Sequence, residues 1–185
     1  MGRPAGRSAE DTRRHILAAA AQEIRESGLQ ASIDQIAQRA GVSKGGLKYH
    51  FESKGILLHG LAKELLEGFR TAVSDRVRRS PASPGSLTRA YVSARLFPDP
   101  DDALAKQDLV LITMLSTLPD IEALAGEDAA WWDEALARDG LPRHVYEVAM
   151  AAADGAACSA AWGSGGDAQS VTRLADHLEA LIDSV

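Results

Sequence analysis

The sequence predicts an all-α protein, a nine-helix two-domain bundle, and three observations support this prediction. Apolar residues recur at intervals of three and four along most of the chain, which is the period of a helix with one buried face. Serine capping signals and glycine stop signals bound these apolar stretches. Clusters of Pro, Gly and Asp separate them, and no stretch keeps the apolar-polar alternation of a strand.

Three short helices are predicted in the first 53 residues. The first begins at Ser8, a capping residue followed by acidic side chains, and its apolar stripe ends at Gly28. The second opens on a capping box at 32–35 and ends at Gly41. Ser43 can cap the third. These helices would form a small N-terminal domain.

A long fourth helix follows, from Ser53 to the Pro- and Ser-rich break at 80–85. At 1.5 Å per residue it would reach about 40 Å, which is long enough to join a small domain to a larger one. We therefore predict a domain of residues 1–53, including an N-terminal arm, and a second of residues 54–185. The second domain would hold five further helices, at 87–97, 105–118, 121–138, 143–162 and 168–182.

The charge of the chain is unevenly distributed. The formal net charge is −6, but residues 1–56 carry nine Lys and Arg against six acidic residues, whereas residues 57–185 carry eleven against twenty. A basic N-terminal part suits nucleic acid, although the whole chain is acidic. There is no apolar signal-peptide core and no apolar run of about 20 residues, so we expect a cytoplasmic protein without a membrane partner.

The sequence contains none of the motifs that would predict an enzyme active site. It contains no nucleophile motif, phosphate-binding loop or metal-ligand spacing, and histidines are scattered. A single cysteine, Cys158, excludes an internal disulfide and has no activating base near it in the sequence. We therefore expect no catalytic residue, no metal and no cofactor.

The second and third helices, joined by a glycine turn, have the form of a DNA-binding helix-turn-helix, whose second helix enters the major groove. Two successive glycines in that helix would let its backbone approach DNA closely, although each costs up to about 1 kcal/mol of helix stability. An ordinary helical hairpin with exposed lysines explains the pattern equally well. The solvent face of the third helix presents Lys44, Gly45, Gly46, Lys48, Tyr49 and His50.

Residues 36–54, which read IAQRAGVSKGGLKYHFESK, closely resemble the signature of the TetR/AcrR family DNA-binding domain. The resemblance implies double-stranded operator DNA as a partner, with Ser32 and Lys54 on phosphates. Lys48 stands where relatives often carry an aromatic residue, so their base preference does not transfer. Arg3 and Arg7 in the arm would follow a groove or belong to a solvated tail. The resemblance places six residues at the groove: Ser43, Lys44, Gly45, Lys48, Tyr49 and His50.

The last two predicted helices have surfaces suited to helix packing. The final helix carries apolar residues at 3-4-3-4 spacing, and the helix before it is rich in small side chains. Both patterns fit a core as well as an interface. The family resemblance implies a homodimer through these helices, and a dimer would read two half-sites. The interface candidates are Ala149, Ala152, Ala156, Ser159, Val171, Leu174, Leu178 and Leu181.

Most large, adaptable side chains of the second domain lie between the fourth helix and the last two helices. Each alone is more often ordinary core, but together they predict a cavity for a small hydrophobic effector. Asp154, set among alanines, would pair with a cationic effector, unless it is solvated or paired locally. The other pocket candidates are Tyr91, Phe97, Met114, Trp131, Trp132 and Met150.

These observations predict a ligand-responsive DNA-binding transcriptional regulator. Repression, relieved when the effector releases the operator, is what the family resemblance implies. Two alternatives belong to other classes: a helical small-molecule-binding protein without specific DNA binding, and an enzyme built on helices. The intact lysines of the third helix oppose the first alternative, and the lack of catalytic groups opposes the second.

Overall fold

A computed structural model describes residues 8–99, 105–161 and 167–185 of the chain. These residues form nine α-helices and no strand, which confirms the predicted all-α fold. The helices are α1 (Ala9–Ser27), α2 (Ile33–Arg39), α3 (Lys44–His50), α4 (Lys54–Arg79), α5 (Ser86–Leu96), α6 (Ala105–Leu115), α7 (Pro119–Leu136), α8 (Arg143–Ala161) and α9 (Ala168–Asp183).

The predicted helix caps form as the sequence indicates. The hydroxyl of Ser8 accepts the Asp11 amide at 3.0 Å, and Ser43 accepts the amide of Gly46 at 3.0 Å. Ser32 and Gln35 make a reciprocal capping box at the start of α2. Since the first amides of a helix have no partner within it, these side chains fix where each helix begins.

Several helix boundaries differ from the sequence-based prediction: the ends of α5 and α7 shift by one or two residues, and two further differences are larger. A 3-10 turn, Gly28–Gln30, follows α1 directly, where only a stop signal was predicted. Helix α6 ends at Leu115 rather than at 118, and Leu118 occupies the position just before α7, without a side-chain capping bond. Pro119 explains the second difference, because proline has no N–H to donate and its fixed φ suits the first position of a helix.

The chain divides into two compact units, Met1–Glu64 (unit 1) and Leu65–Val185 (unit 2), and the division falls inside α4. The hydrophobic core of unit 1 is formed by side chains of the first four helices. None of its largest members is more than 2% exposed: Ile16, Ile24, Ile36, Leu47, Phe51, Leu57 and Leu61.

Ion pairs also hold α1 against α2. Arg39 of α2 donates to Glu23 of α1 at 2.7 Å and to Glu26 at 2.9 Å. The hydrogen bond from Arg39, followed by one from Ser27, keeps the pKa of Glu23 below its ordinary value. His15 of α1 lies 3.0 Å from the last α2 carbonyl, that of Ala40. These contacts fix the position of α1 relative to α2, the helix that precedes α3.

Unit 2 is built around α5, which packs against both α8 and α9, while α6 packs against α8. One core cluster joins α4, α5, α7 and α8 through buried residues that include Val73, Tyr91, Trp132 and Tyr146. A second cluster joins α5, α8 and α9 through Val92 and its neighbours. No helix within the described ranges is long and apolar enough to cross a membrane.

The start of α5 is capped by a residue far along the chain. Gly85, at φ +79°, precedes the helix and offers no side chain. The carboxylate of Asp139 instead accepts the amides of Leu87 at 2.9 Å and Thr88 at 2.8 Å, and the Thr88 hydroxyl at 2.7 Å. The Asp139 carbonyl accepts the Gly85 amide at 2.8 Å. Asp139 therefore fixes α5 to the end of α7.

We expect Asp139→Ala to lower the free energy of unfolding of the protein by about 2 kcal/mol, because it removes a helix cap and strands the buried Thr88 hydroxyl. Urea unfolding monitored by circular dichroism measures the change. Glu127→Ala, which removes an exposed carboxylate from α7, is the matched control and should alter stability by less than about 0.5 kcal/mol. Equal effects of the two substitutions would contradict the capping role.

Candidate DNA-binding surface and effector site

The turn between α2 and α3 is closed by backbone hydrogen bonds of a Schellman motif. The Val42 amide donates to the Ala37 carbonyl at 3.0 Å, and the Gly41 amide donates to the Gln38 carbonyl at 3.1 Å. Gly41 has φ +63°, where any residue with a Cβ is strained. This turn fixes the direction in which α3 leaves α2.

Helix α3 divides cleanly into an inward and an outward face. Leu47 and the following Phe51 are buried, and the guanidinium of Arg13 lies 4.3 Å from the Phe51 ring centroid. Tyr49 is 84% exposed, and its ring meets that of His50 edge to face. Lys44, Gly45, Lys48 and Ser43 are also exposed, whereas His50 is half-buried, so five of the six predicted groove-facing residues share the solvent side.

The two lysines of α3 have different electrostatic surroundings. The ammonium of Lys44 lies 2.8 Å from the carboxylate of Asp34 on α2, so its charge is already matched within the protein. Lys48 makes no hydrogen bond or ion pair to any residue that the structure describes. Lys48 therefore contributes the uncompensated positive charge of the α3 surface.

The two glycines of α3 also differ. A Cβ built on Gly46 would lie 3.2 Å from the hydroxyl of Ser43, the oxygen that caps the helix. A Cβ built on Gly45 would meet nothing closer than that hydroxyl at 4.0 Å. The intramolecular packing thus explains glycine at 46 but leaves glycine at 45 without a structural reason. Close approach by an external partner would supply one.

The two predicted phosphate contacts are occupied by intramolecular hydrogen bonds. The Ser32 hydroxyl donates to Gln35 at 2.7 Å within the capping box. The Lys54 ammonium donates to the Leu29 carbonyl at 2.6 Å and ties the 3-10 turn to the start of α4. Arg3 and Arg7 of the predicted arm lie outside the described residues.

Three aromatic rings meet in unit 2 and include two of the predicted effector contacts. The ring centroid of Tyr91 lies 5.0 Å from those of Phe69 and Trp132, and Phe69 and Trp132 are 5.6 Å apart. Met150 packs against the larger core cluster that contains Tyr91 and Trp132. Predicted contacts on α5, α7 and α8 are therefore neighbours, and Phe69 of α4 joins them although the sequence did not single it out.

A partly buried ion pair adjoins this cluster. Nε of Arg95 lies 2.7 Å from Oδ1 of Asp154, and the Tyr91 hydroxyl donates to Asp154 at 3.0 Å. Burial raises the pKa of Tyr91 to about 12, so the phenol keeps its proton and remains a donor at neutral pH. Asp154 is thus paired within the chain. Arg95 was missed by sequence reasoning, although its position four residues after Tyr91 puts both on one face of α5.

The other predicted effector contacts lie in different surroundings. Trp131 is exposed, with its ring 4.9 Å from Trp132 and 4.0 Å from the guanidinium of Arg70. Phe97 is exposed at the end of α5. Met114 is half-buried on α6. These three therefore do not share the burial of the aromatic cluster.

The predicted dimer contacts fall into two groups. Ala149 and Leu178 are 0% and 4% exposed and belong to the core of unit 2, against which Ala152 and Leu174 also pack. The remaining candidates are half-buried or exposed: Ala156, Ser159, Val171 and Leu181. An exposed α8 face that sequence reasoning missed carries Val148, Ala151 and Gly155 at helical spacing, with Val148 53% exposed.

Within the described part of the chain, no three His, Cys, Asp or Glu side chains group so that they could hold a metal ion. Cys158 is a half-buried free thiol on α8. The residues of unit 1 present a surface for binding, and those of unit 2 an aromatic core with one internal ion pair.

Comparison with known families assigns both parts of the chain. Residues 16–61 match the model of bacterial regulatory proteins of the tetR family, and residues 85–183 match the tetracyclin repressor-like C-terminal domain. The chain belongs to the TetR family. Regulators of the TetR family are non-enzymatic DNA-binding proteins that bind operators and small-molecule effectors and form dimers.

The similarity to an individual TetR-family sequence covers only part of the chain. The HTH-type transcriptional regulator BetI of Escherichia coli O45:K1 is 36% identical over 76 residues, which cover 40% of this chain and 39% of BetI. The chain thus matches about two fifths of the length of this curated relative.

Solved structures share the fold over more than nine tenths of the chain. A transcriptional regulator from Rhodococcus sp. RHA1 has a TM-score of 0.73 at 20% identity, covering 94% of this chain and 95% of its own. The multidrug binding protein EbrR, complexed with malachite green, has a TM-score of 0.67 at 21% identity, covering 91% and 96%. At such identities the likeness concerns the fold alone.

The difference between the two α3 glycines predicts that a substitution at Gly45 raises the stability of the protein while it lowers the affinity for DNA. Gly45→Ala should raise the free energy of unfolding by up to about 1 kcal/mol, because alanine favours a helix and meets no obstacle. The same change should weaken DNA binding, because the added methyl group would hinder the close approach of the α3 backbone to DNA. Thermal unfolding and fluorescence anisotropy with labelled DNA measure the two effects.

Gly68→Ala on α4 is the control for this prediction, since a Cβ at Gly68 also meets nothing within 4 Å. It should stabilise the protein without changing DNA affinity. If Gly45→Ala binds DNA as tightly as the unmodified protein, close backbone approach at this position is wrong.

Proposed function

We propose that this chain is a ligand-responsive, DNA-binding transcriptional repressor that acts in the cytoplasm as a homodimer. The observation that carries the proposal is the outward face of α3. Lys48 and Tyr49 project from a short helix whose opposite side is anchored by Leu47 and Phe51 in the core of unit 1. Such a helix presents side chains at fixed positions to the edges of bases.

The geometry favours different roles for the individual DNA contacts. Lys48 and Tyr49 have side chains available for bases, while Gly45 permits close backbone approach. Ser43, Lys44 and His50 flank them on the same helix and would contact the groove once Lys44 exchanges Asp34 for DNA. Ser32 and Lys54 would contact phosphates by exchanging their present hydrogen bonds, which makes their contribution positional rather than sequence-specific.

The acidic unit 2 would carry the effector site and the dimer interface, in keeping with functional domains of residues 1–53 and 54–185. Its aromatic cluster suits a small hydrophobic effector, and EbrR provides a relative of the same fold with malachite green bound. The effector would favour a state of the dimer in which the two α3 helices no longer match the half-site spacing. This coupling requires a differential affinity of about 1–3 kcal/mol.

The central test is selection of DNA sequences by the purified protein at stated salt. We expect enrichment of a pseudo-palindrome, because a symmetric dimer binds two half-sites. The double variant Lys48→Ala, Tyr49→Ala should lose at least about tenfold in affinity for that sequence, since each base contact contributes about 1–3 kcal/mol. Arg138→Ala, in the turn after α7, removes the same charge elsewhere and should retain the affinity.

The alternative function, a helical small-molecule-binding protein without specific DNA binding, makes the opposite prediction. Such a protein would enrich no sequence, and the double variant would behave as the unmodified chain does. The uncompensated charge of Lys48 and the exposure of Tyr49 favour the regulator.

The dimer interface has a test that spares the fold of the subunit. Cβ atoms built on Gly155 of α8 and Gly126 of α7 both meet nothing within 4 Å. Gly155→Lys should therefore leave the helices intact while it places a charge on the exposed α8 face. We expect this variant to be monomeric by sedimentation velocity, whereas the control Gly126→Lys should remain dimeric. A dimeric Gly155→Lys would exclude this face from the interface.

A further inference from the structure

The guanidinium of Arg95 occupies an aromatic site inside unit 2. Its central carbon lies 3.6 Å from the ring centroid of Phe69 and 5.4 Å from that of Tyr91. One edge of the guanidinium faces the carboxylate of Asp154 at 2.7 Å. Trp132 meets Tyr91 edge to face on the adjoining side. The chain has thus placed one of its own cations on the faces of aromatic rings beside a carboxylate.

Stabilisation of the fold does not by itself account for this ion pair. The charge of Arg95 is largely withdrawn from water, since its side chain is only 14% exposed, whereas the Asp154 side chain is 36% exposed. Apolar residues in place of an ion pair that is withdrawn from water are often as stable or more so. Nε of Arg95 is buried without a hydrogen bond of good geometry to any residue that the structure describes, despite its closeness to Asp154. The pair is therefore close but imperfectly directed.

We propose that Arg95 is an internal occupant of the effector site, and that the effector is a small aromatic cation that displaces Arg95 and takes over its contacts with Phe69 and Asp154. This inference rests on the proposed function, in which unit 2 binds an effector, and it names the chemical class of that effector. The internal guanidinium shows which chemistry the site accepts, because it already makes the contacts that a cationic ligand would make.

The surroundings of the site favour a cation over an anion. Ring faces carry the negative end of the aromatic quadrupole, so they attract a positive group and repel a carboxylate. An anion would also have to compete with Asp154, which the Tyr91 hydroxyl helps to hold in place. A cation instead gains Asp154 as its counterion, and the excess of acidic residues in 57–185 adds a general attraction.

Displacement of Arg95 is sterically simple. Arg95 belongs to the last turn of α5, and a long, flexible side chain there can turn outward to water without any backbone change. Asp154 has a side chain that is 36% exposed, so a ligand can reach its carboxylate from solvent. Departure of the guanidinium would free the two groups that it now contacts, the Phe69 ring at 3.6 Å and the Asp154 carboxylate at 2.7 Å, for a flat cation.

The test is titration of the purified full-length protein with benzamidinium, a flat aromatic cation, followed by tryptophan fluorescence. Arg95→Met removes the internal competitor, so it should bind benzamidinium about tenfold more tightly than the unmodified protein, because the binding-competent state is no longer a minor one. Arg138→Met has the same change of net charge at an exposed position in the turn after α7. It should bind as the unmodified protein does.

Two further measurements make the result specific. Asp154→Asn should abolish the gain when combined with Arg95→Met, because the counterion is lost. Neutral benzamide should show no comparable gain in the Arg95→Met variant. Arg95→Gln, which is polar but uncharged, should reproduce the gain and serves in place of Arg95→Met if thermal unfolding shows that the methionine variant is not folded.

Several outcomes would overturn the inference. Equal benzamidinium affinity in the unmodified and both Arg95 variants would show that Arg95 does not compete. Binding of benzoate that disappears in Arg95→Met would make Arg95 a receptor for anions. Neither outcome touches DNA binding, which is measured separately by sequence selection, so failure of this inference is distinguishable from failure of the proposed repressor function.

Discussion

Unit 2 depends on the position of α5, and α5 depends on the carboxylate of Asp139. The helix cannot cap itself, because Gly85 precedes it in a left-handed conformation that a side chain would strain. A Cβ at Gly85 would also lie 2.9 Å from a side-chain carbon of Ile182 on α9. The close packing that requires glycine thus removes the local cap, and Asp139 provides one from the end of α7. This arrangement fixes Tyr91 and Arg95 relative to α7 and α8.

The ion pairs of the two units differ in how well their charges are satisfied by hydrogen bonds. In unit 1, Arg39 bridges Glu23 and Glu26 and holds α1 beside α2, and the buried Glu23 carboxylate is satisfied by hydrogen bonds from both Arg39 and Ser27. In unit 2, the guanidinium of Arg95 lies over the Phe69 ring and its Nε makes no hydrogen bond of good geometry to Asp154, so a more favourable partner for either charge can change the balance. The first kind of pair suits a rigid element, and the second suits a site that responds to a ligand.

The sequence was most informative where structure is local. Helix starts at Ser8, Ser32 and Ser43 were predicted correctly because capping requires only neighbouring residues. The contacts that sequence reasoning missed are remote: Asp139 caps a helix that starts about 50 residues earlier, and Arg95 pairs with Asp154 on another helix. Periodicity identified Leu178 as an inward position, but it could not distinguish the core of one subunit from an interface between two.

The contrast between local and remote contacts also applies to α3, whose stability and whose exposed surface depend on different residues. An isolated seven-residue helix with two glycines is unstable in water, since too few hydrogen bonds offset its nucleation. Helix α3 therefore owes its shape to contacts at one side and one end, namely Leu47, Phe51 and the Ser43 cap. The side that would read DNA contributes almost nothing to its own folding, so residues such as Lys48 and Tyr49 can vary with the operator while the helix persists. A DNA-binding scaffold needs this separation, because it allows specificity to change without loss of the fold.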